Sequence, residues 1–300
     1  MIYERTIRKP VECSGIGLHS GASVSLRILP APAGTGVVFR RVDLDGFQVE
    51  AVGRNVAKVS YATSLMKKGV LISTTEHLLS AFIGMGVDNA IVELDNLELP
   101  ILDGSALPFV KMIEQAGVRQ QRRKRVYLKI LRPCELRDGD KFIGIYPSER
   151  YSVSYEIDFP HPLIGREQFQ VELSNGSYLK HIAPARTFGF LEQQRAMLNM
   201  GLIRGASREN CVVLTRDGLD NPPLRFPDEF VRHKVLDLIG DLALFGKRIL
   251  GYVKADRAGH AMHTAAVSRI LRERGYAEEI TLDAGATIED WPAGHLAVAD

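Results

Sequence analysis

The chain has 300 residues, 45% of them hydrophobic and 25% charged, with a formal net charge of +2. That balance is ordinary for a soluble globular protein of one or two domains, and it carries no overall nucleic-acid signature. Cys13, Cys134 and Cys211 are far apart and form no Cys-x-x-Cys pair, so they read as reduced residues. The N-terminus lacks the apolar core of a signal peptide, and no stretch approaches the roughly 18 apolar residues of a membrane span. A cytoplasmic, soluble chain is expected.

Residues 2–29 read as strands, with Val24-Ser25-Leu26-Arg27-Ile28-Leu29 alternating cleanly. The tight segment 15–21 before it is too irregular for a nucleotide fingerprint. Residues 30–36 form a loop, and Val37-Val38-Phe39-Arg40 begins another strand. A helix follows over 73–85, closed by Gly86, then a strand over 90–94 and a second helix over 105–116, closed by Gly117. Gln120-Gln121-Arg122-Arg123-Lys124-Arg125 is polar and basic and reads as a solvated linker. It places the domain boundary at 121–125, between an N-terminal domain over 1–120 and a C-terminal domain over 126–300.

The second half opens with strands over 126–130, 142–146 and 151–157. A less regular region over about 180–215 follows, with a short helix at 191–199. A long helix over 228–245 is closed by Gly246; a strand over 249–254 and a last helix over 260–274, closed by Gly275, come after it. The two halves share an order of elements, which suggests two α+β domains of similar plan. Each lays its helices on one face of a mixed β-sheet, and helix-to-helix packing puts 73–85 and 228–245 at an interface where ligand sites form.

The chemistry gathers on those two helices. His233, Asp237 and Asp241 fall at i, i+4 and i+8, so they share one helix face. Alone, a His-x3-Asp pattern arises by accident on many helices and reads as a polar stripe. Glu76 and His77 stand near the start of the other helix. Ser73-x-x-Glu76 has the form of a capping box, a competing reason for that glutamate. Together, His77, His233 and Asp237 supply the three His and carboxylate ligands that a catalytic zinc takes while leaving one position open. Glu76 beside a ligand can serve as general base, His260 as acid or oxyanion donor, and Asp241 as an orienting carboxylate.

At these residues the sequence resembles the UDP-3-O-acyl-N-acetylglucosamine deacetylases. The motifs are Gly17-Leu18-His19-Ser20-Gly21, Thr75-Glu76-His77-Leu78-Leu79-Ser80-Ala81, Asp103-Gly104-Ser105-Ala106, Ala185-Arg186-Thr187-Phe188-Gly189-Phe190, the stretch 228–242, and Gly259-His260-Ala261. They run in order over about residues 2–285. The resemblance implies zinc-dependent removal of an N-acetyl group, the committed step of lipid A synthesis in Gram-negative bacteria, by an enzyme with one zinc ion per chain between two domains of one plan.

It further implies that His77, His233 and Asp237 hold the metal, that Glu76 is the general base, and that His260, held by Asp241, works with Thr187 at the oxyanion. Phe188, Lys234 and Leu18 would contact a UDP-linked acylated glucosamine. An insert over 180–215, with Leu198, Met200, Leu202 and Ile203, would form an apolar passage for the acyl chain. A monomer with no nucleic-acid partner is expected. The chain departs from the family pattern at Thr75, Arg204, His263 and 221–223, and no dehydratase-like extension is expected beyond residue 300. Two other readings are a basic nucleic-acid-binding module using Arg122–Arg125 and a zinc amidohydrolase acting on a different acylated sugar.

Overall fold

The computed structural model describes residues 2–57, 61–221 and 223–282. Pro222 and the last part of the expected second domain, 283–300, lie outside the described residues. In the first half the strands are β1 (Tyr3–Ile7), β2 (Val11–Ile16), β3 (Ser23–Pro30), β4 (Val37–Arg41), β5 (Phe47–Glu50), β6 (Leu65–Lys67), β7 (Val70–Ile72), β8 (Ala90–Leu94) and β9 (Val118–Lys124); the helices are α1 (Glu76–Met85) and α2 (Leu107–Ala116). The second half has β10 (Val126–Ile130), β11 (Cys134–Asp138), β12 (Lys141–Pro147), β13 (Tyr151–Phe159), β14 (Gly165–Glu172), β15 (Phe188–Phe190), β16 (Val212–Leu214), β17 (Arg248–Asp256) and β18 (Ala277–Thr281). Its helices are α3 (Asn175–His181), α4 (Leu191–Asn199), α5 (Glu229–Leu242) and α6 (His260–Arg272).

The architecture is α+β with a two-domain plan, and each half carries one main mixed sheet. In the first half the strand order is β2-β3-β8-β4-β5, with β8 antiparallel to β3 and parallel to β4. The alternation in β3 turns Val24, Leu26 and Ile28 inward. In the second half β17 is central: its residues 251–256 pair antiparallel with β12 and parallel with β13, while its start pairs parallel with β10. Helix α1 precedes β8 and α5 precedes β17, and a further helix follows each strand, so the order expected from the sequence is present in both halves.

Helices α1 and α5 pack against one another. Both are buried nearly all round. Of the 14 residues in α5, only Arg232 and Lys234 escape burial, so His233, Asp237 and Asp241 do not form a solvated stripe. The close crossing depends on Gly240: a Cβ there would lie 2.1 Å from the carbonyl oxygen of Glu76. Gly240→Ala therefore should destabilise the fold by about 1–3 kcal/mol through overpacking, outweighing the roughly 1 kcal/mol that alanine gains over glycine in a helix. A denaturant midpoint unchanged or raised would contradict this.

The basic run is a paired strand and not an irregular linker, although Arg122, Arg123 and Lys124 stay exposed. Residues 118–124 form β9, which pairs antiparallel with β1 from Ile7↔Val118 to Tyr3↔Lys124. Arg123 pairs with Glu4, at 3.3 Å. Arg125 is 1% exposed, grips Asp88 at 2.6 Å and donates to the Gly86 carbonyl at 3.2 Å. Arg248 donates to the Ile83 carbonyl at 2.6 Å. Two guanidinium groups thus meet the carbonyl end of α1, where the helix dipole favours positive charge. Arg123 keeps about half of its side chain exposed while pairing with Glu4, whereas Arg125 is buried against Asp88, so the run is tied to the fold through these two residues. The main sheets divide here, because β9 pairs with β1 whereas β10 pairs with β17 and β18.

Candidate active site

The start of α1 is shaped by strain and by one buried carboxylate. Thr74 has φ 57°, a left-handed conformation unusual for a β-branched residue. Its hydroxyl donates to Glu98 at 2.9 Å, and Glu98 also accepts the backbone N–H groups of His19 at 2.9 Å and Ser20 at 2.7 Å. The 17–21 turn is thereby fixed beside the helix. No capping box forms: the Ser73 hydroxyl bonds Ser64 at 2.9 Å, and the cap residue Thr75 makes no side-chain cap. Glu76 accepts the Thr63 backbone N–H at 3.1 Å instead.

His77 from α1 meets His233 and Asp237 from α5. Nε2 of His233 lies 3.3 Å from Asp237 Oδ1, and Nε2 of His77 lies 3.8 Å from the same oxygen. The two rings stand edge to face with centroids 5.1 Å apart. Nδ1 of His233 is anchored on the Ala185 carbonyl at 3.0 Å, which turns Nε2 toward the carboxylate. Burial, with His233 close by, lowers the His77 pKa to about 3, and burial likewise lowers that of His233. Burial opposes ionisation of Asp237, but positive charge nearby (His233 once protonated in acid, with Lys234 and His260) outweighs it and holds the carboxyl well below its usual range. Two neutral imidazoles and an ionised carboxylate, with ligand atoms converging and no thiolate among them, suit a divalent metal cation.

Beside this group, His260 stands at the start of α6. Its Nδ1 is 2.7 Å from Asp241 Oδ2, and its Nε2 is 3.8 Å from Glu76 Oε1 and 3.9 Å from Asp237 Oδ2. Burial alone would lower the His260 pKa, but the Asp241 carboxylate and its hydrogen bond, joined by Asp237 and Glu76, raise it to about 9. Burial raises the Glu76 pKa to about 8 against the opposing charge of His260. The Thr63 hydroxyl donates to Asp241 Oδ1.

Thr187 donates its backbone N–H to the Gly104 carbonyl (2.8 Å), and its own carbonyl accepts the Val212 N–H (2.8 Å). Gly104, at φ 83°, leaves no room for a Cβ, which would lie 2.2 Å from the Asn210 carbonyl. Arg186 clamps this segment to α5 through Glu229, at 2.8 Å. Phe188 packs against Phe230, with centroids 5.0 Å apart. The Lys234 ammonium is committed to Asp237 Oδ2 at 2.7 Å, with the Phe188 ring 5.7 Å away.

Within the insert, the backbone N–H groups of Arg204 and Gly205 donate to the carbonyls of His19 (3.2 Å) and Leu18 (3.0 Å), which ties the segment to the 17–21 turn. Ile203 is another strained β-branched residue, at φ 51°. Leu198 and Met200 remain 43% and 56% exposed, away from that contact. A cavity of about 620 Å³ lies elsewhere, lined by Arg54, Asp88, Arg125, Arg248 and Arg272 among others, near the C-terminal ends of α1 and α6. Thr63, Glu98 and Tyr155 escaped sequence reasoning because no local pattern marks them. His19, whose two ring nitrogens are buried without partners, was visible only as part of the 17–21 motif.

Two α+β halves packed through α1 and α5 bring together a His-His-Asp set that could hold a metal ion and an adjacent carboxylate–imidazole pair, an arrangement that fits a metal-dependent hydrolase. The family model for UDP-3-O-acyl N-acetylglycosamine deacetylase, LpxC, matches residues 4–272. A UDP-3-O-acyl-N-acetylglucosamine deacetylase of Solibacter usitatus is 57% identical over 284 residues, covering 94% of this chain and 96% of the relative. Proteins of the same name from an Anaeromyxobacter species and from Cellvibrio japonicus are 44% and 41% identical; the matches cover 95% and 94% of this chain, and 94% and 95% of those relatives. The chain belongs to the UDP-3-O-acyl-N-acetylglucosamine deacetylase family.

Proposed function

We propose that this chain hydrolyses the N-acetyl group of a UDP-3-O-acyl-N-acetylglucosamine, releasing acetate in the committed step of lipid A biosynthesis. The observation that carries the reading is the convergence of His77, His233 and Asp237 beside Glu76 and His260, in a chain of this family. In this reading His77, His233 and Asp237 hold one zinc ion, which when bound polarises the acetyl carbonyl and acidifies water.

Glu76 takes a proton from the attacking water; its buried carboxyl, poised at about 8, suits a base working near neutral pH. His260 donates through Nε2, first to the oxygen on which negative charge develops and then to the departing amine. Asp241 holds the opposite nitrogen and favours the charged ring. Thr187 is an additional oxyanion donor, and aimed donors of this kind lower the barrier to amide cleavage.

Phe188 packs against the sugar–nucleotide. Lys234 both steadies Asp237 and presents positive charge to the substrate head. Leu18, Leu202 and Ile203 line the start of an acyl passage within 180–215, with Leu198 and Met200 at its exposed end. The reading takes the chain as two domains, 1–120 and 126–300, in a cytoplasmic monomer. Among the described residues, no helix is long and apolar enough to cross a membrane.

The test is acetate release from the UDP-linked acyl sugar before and after chelation. Chelation should reduce the rate at least about tenfold, with recovery on adding Zn²⁺. Turnover indifferent to the chelator, or no release of acetate from the untreated enzyme, would overturn the reading.

A further inference from the structure

Asp241 carries a second imidazole. Its Oδ2 faces Nδ1 of His260 at 2.7 Å and Nδ1 of His263 at 2.8 Å, while Oδ1 accepts the Thr63 hydroxyl. Both Asp241 and His263 are fully buried. Nε2 of His263 lies 3.2 Å from the Tyr155 hydroxyl, which donates to the Ala258 carbonyl at 2.7 Å. The N···O separations are those of N–H···O hydrogen bonds and leave no space for a cation between the groups, so the cluster is a hydrogen-bonded relay and not a second metal site.

His260 and His263 lie three residues apart in the first turn of α6, so both reach the same carboxylate on α5. The aim of His260 Nε2 depends on the bond at Nδ1, and therefore on how firmly Asp241 is held. Thr63 fixes one carboxylate oxygen from the first half of the chain. His263 fixes the other from the helix that carries His260 itself.

We propose, building on the deacetylase reading above, that His263 is a positioning residue: its Nδ1–H fixes the Asp241 carboxylate so that Oδ2 grips His260 and directs its Nε2 at the reaction centre. A buried ionised carboxylate that loses one of its donors is held less firmly. With His263 gone, Oδ2 keeps His260 as a partner but can shift together with it, and the aim of His260 Nε2 loosens. Asparagine at this position retains an N–H donor for Oδ2; leucine retains bulk alone.

The experiment compares His263→Leu and His263→Asn with the unaltered zinc-loaded protein. Leucine should lower kcat about 10- to 100-fold while leaving KM and metal content unchanged, and asparagine should restore kcat to within about threefold. Leucine at full kcat, or a loss that asparagine shares, overturns the proposal. Proton NMR of the imidazole N–H groups gives an arm independent of activity. The protein should show a slowly exchanging downfield Nδ1–H signal that disappears in His263→Asn, and no such signal would overturn the assigned hydrogen bond. Should the leucine variant not fold, the asparagine kinetics and this signal decide. Absence of acetate release by the unaltered protein would count against the deacetylase reading, while the NMR arm still judges the hydrogen bond.

Discussion

Asp237→Ala should emerge from purification with at least about tenfold less metal than the unaltered protein, which should hold about one ion per chain. The effect is large because Asp237 is the anionic member of the donor set; without it two neutral imidazoles remain. The substitution also frees the Lys234 ammonium, now 2.7 Å from Asp237 Oδ2, to sit unneutralised beside the cation. Elemental analysis of folded protein is the measurement, with circular dichroism to confirm the fold. Full metal retention would remove Asp237 from the ligand set.

Glu76→Gln should keep both the metal and the fold and lose about 10²- to 10⁴-fold in kcat. The amide oxygen can still accept the Thr63 N–H that Glu76 accepts at 3.1 Å, so the start of α1 keeps its anchor. What disappears is the capacity to take a proton. Burial already opposes ionisation of Glu76, and a neutral amide relieves that cost, so the melting temperature should not fall. Turnover near that of the unaltered enzyme would deny Glu76 the role of base. A drop in metal content would instead make the substitution a disturbance of the neighbouring His77.

The helices at the site could be read from the sequence because their signals are local. Apolar residues recur at helical spacing through 228–245, and Gly86 and Gly246 end their helices in the left-handed conformation, at φ 77° and 70°. The expected helices ran long: α1 begins at Glu76 because Thr74 is left-handed, and α5 ends at Leu242 with a 3₁₀ turn over Ala243–Phe245. The basic run differs from an irregular linker by its pairing with β1, for a physical reason. Charge and polarity along a chain describe a solvated segment unless distant partners exist, and those of Arg123 and Arg125 are Glu4 and Asp88.

By itself the sequence determined the residue types that can bind a cation and move a proton, their spacing on each helix, and the repeated order of elements. Spacing of i and i+4 places His233 and Asp237 on one face whatever surrounds them. Only the tertiary structure decided that this face is buried, because burial depends on α1 crossing at Gly240, remote in sequence from Glu76. It also decided that Glu76 turns from a helix cap toward His260 and that His263 shares Asp241 with His260. Each of these contacts joins side chains from separate elements, and no local pattern along the chain encodes them.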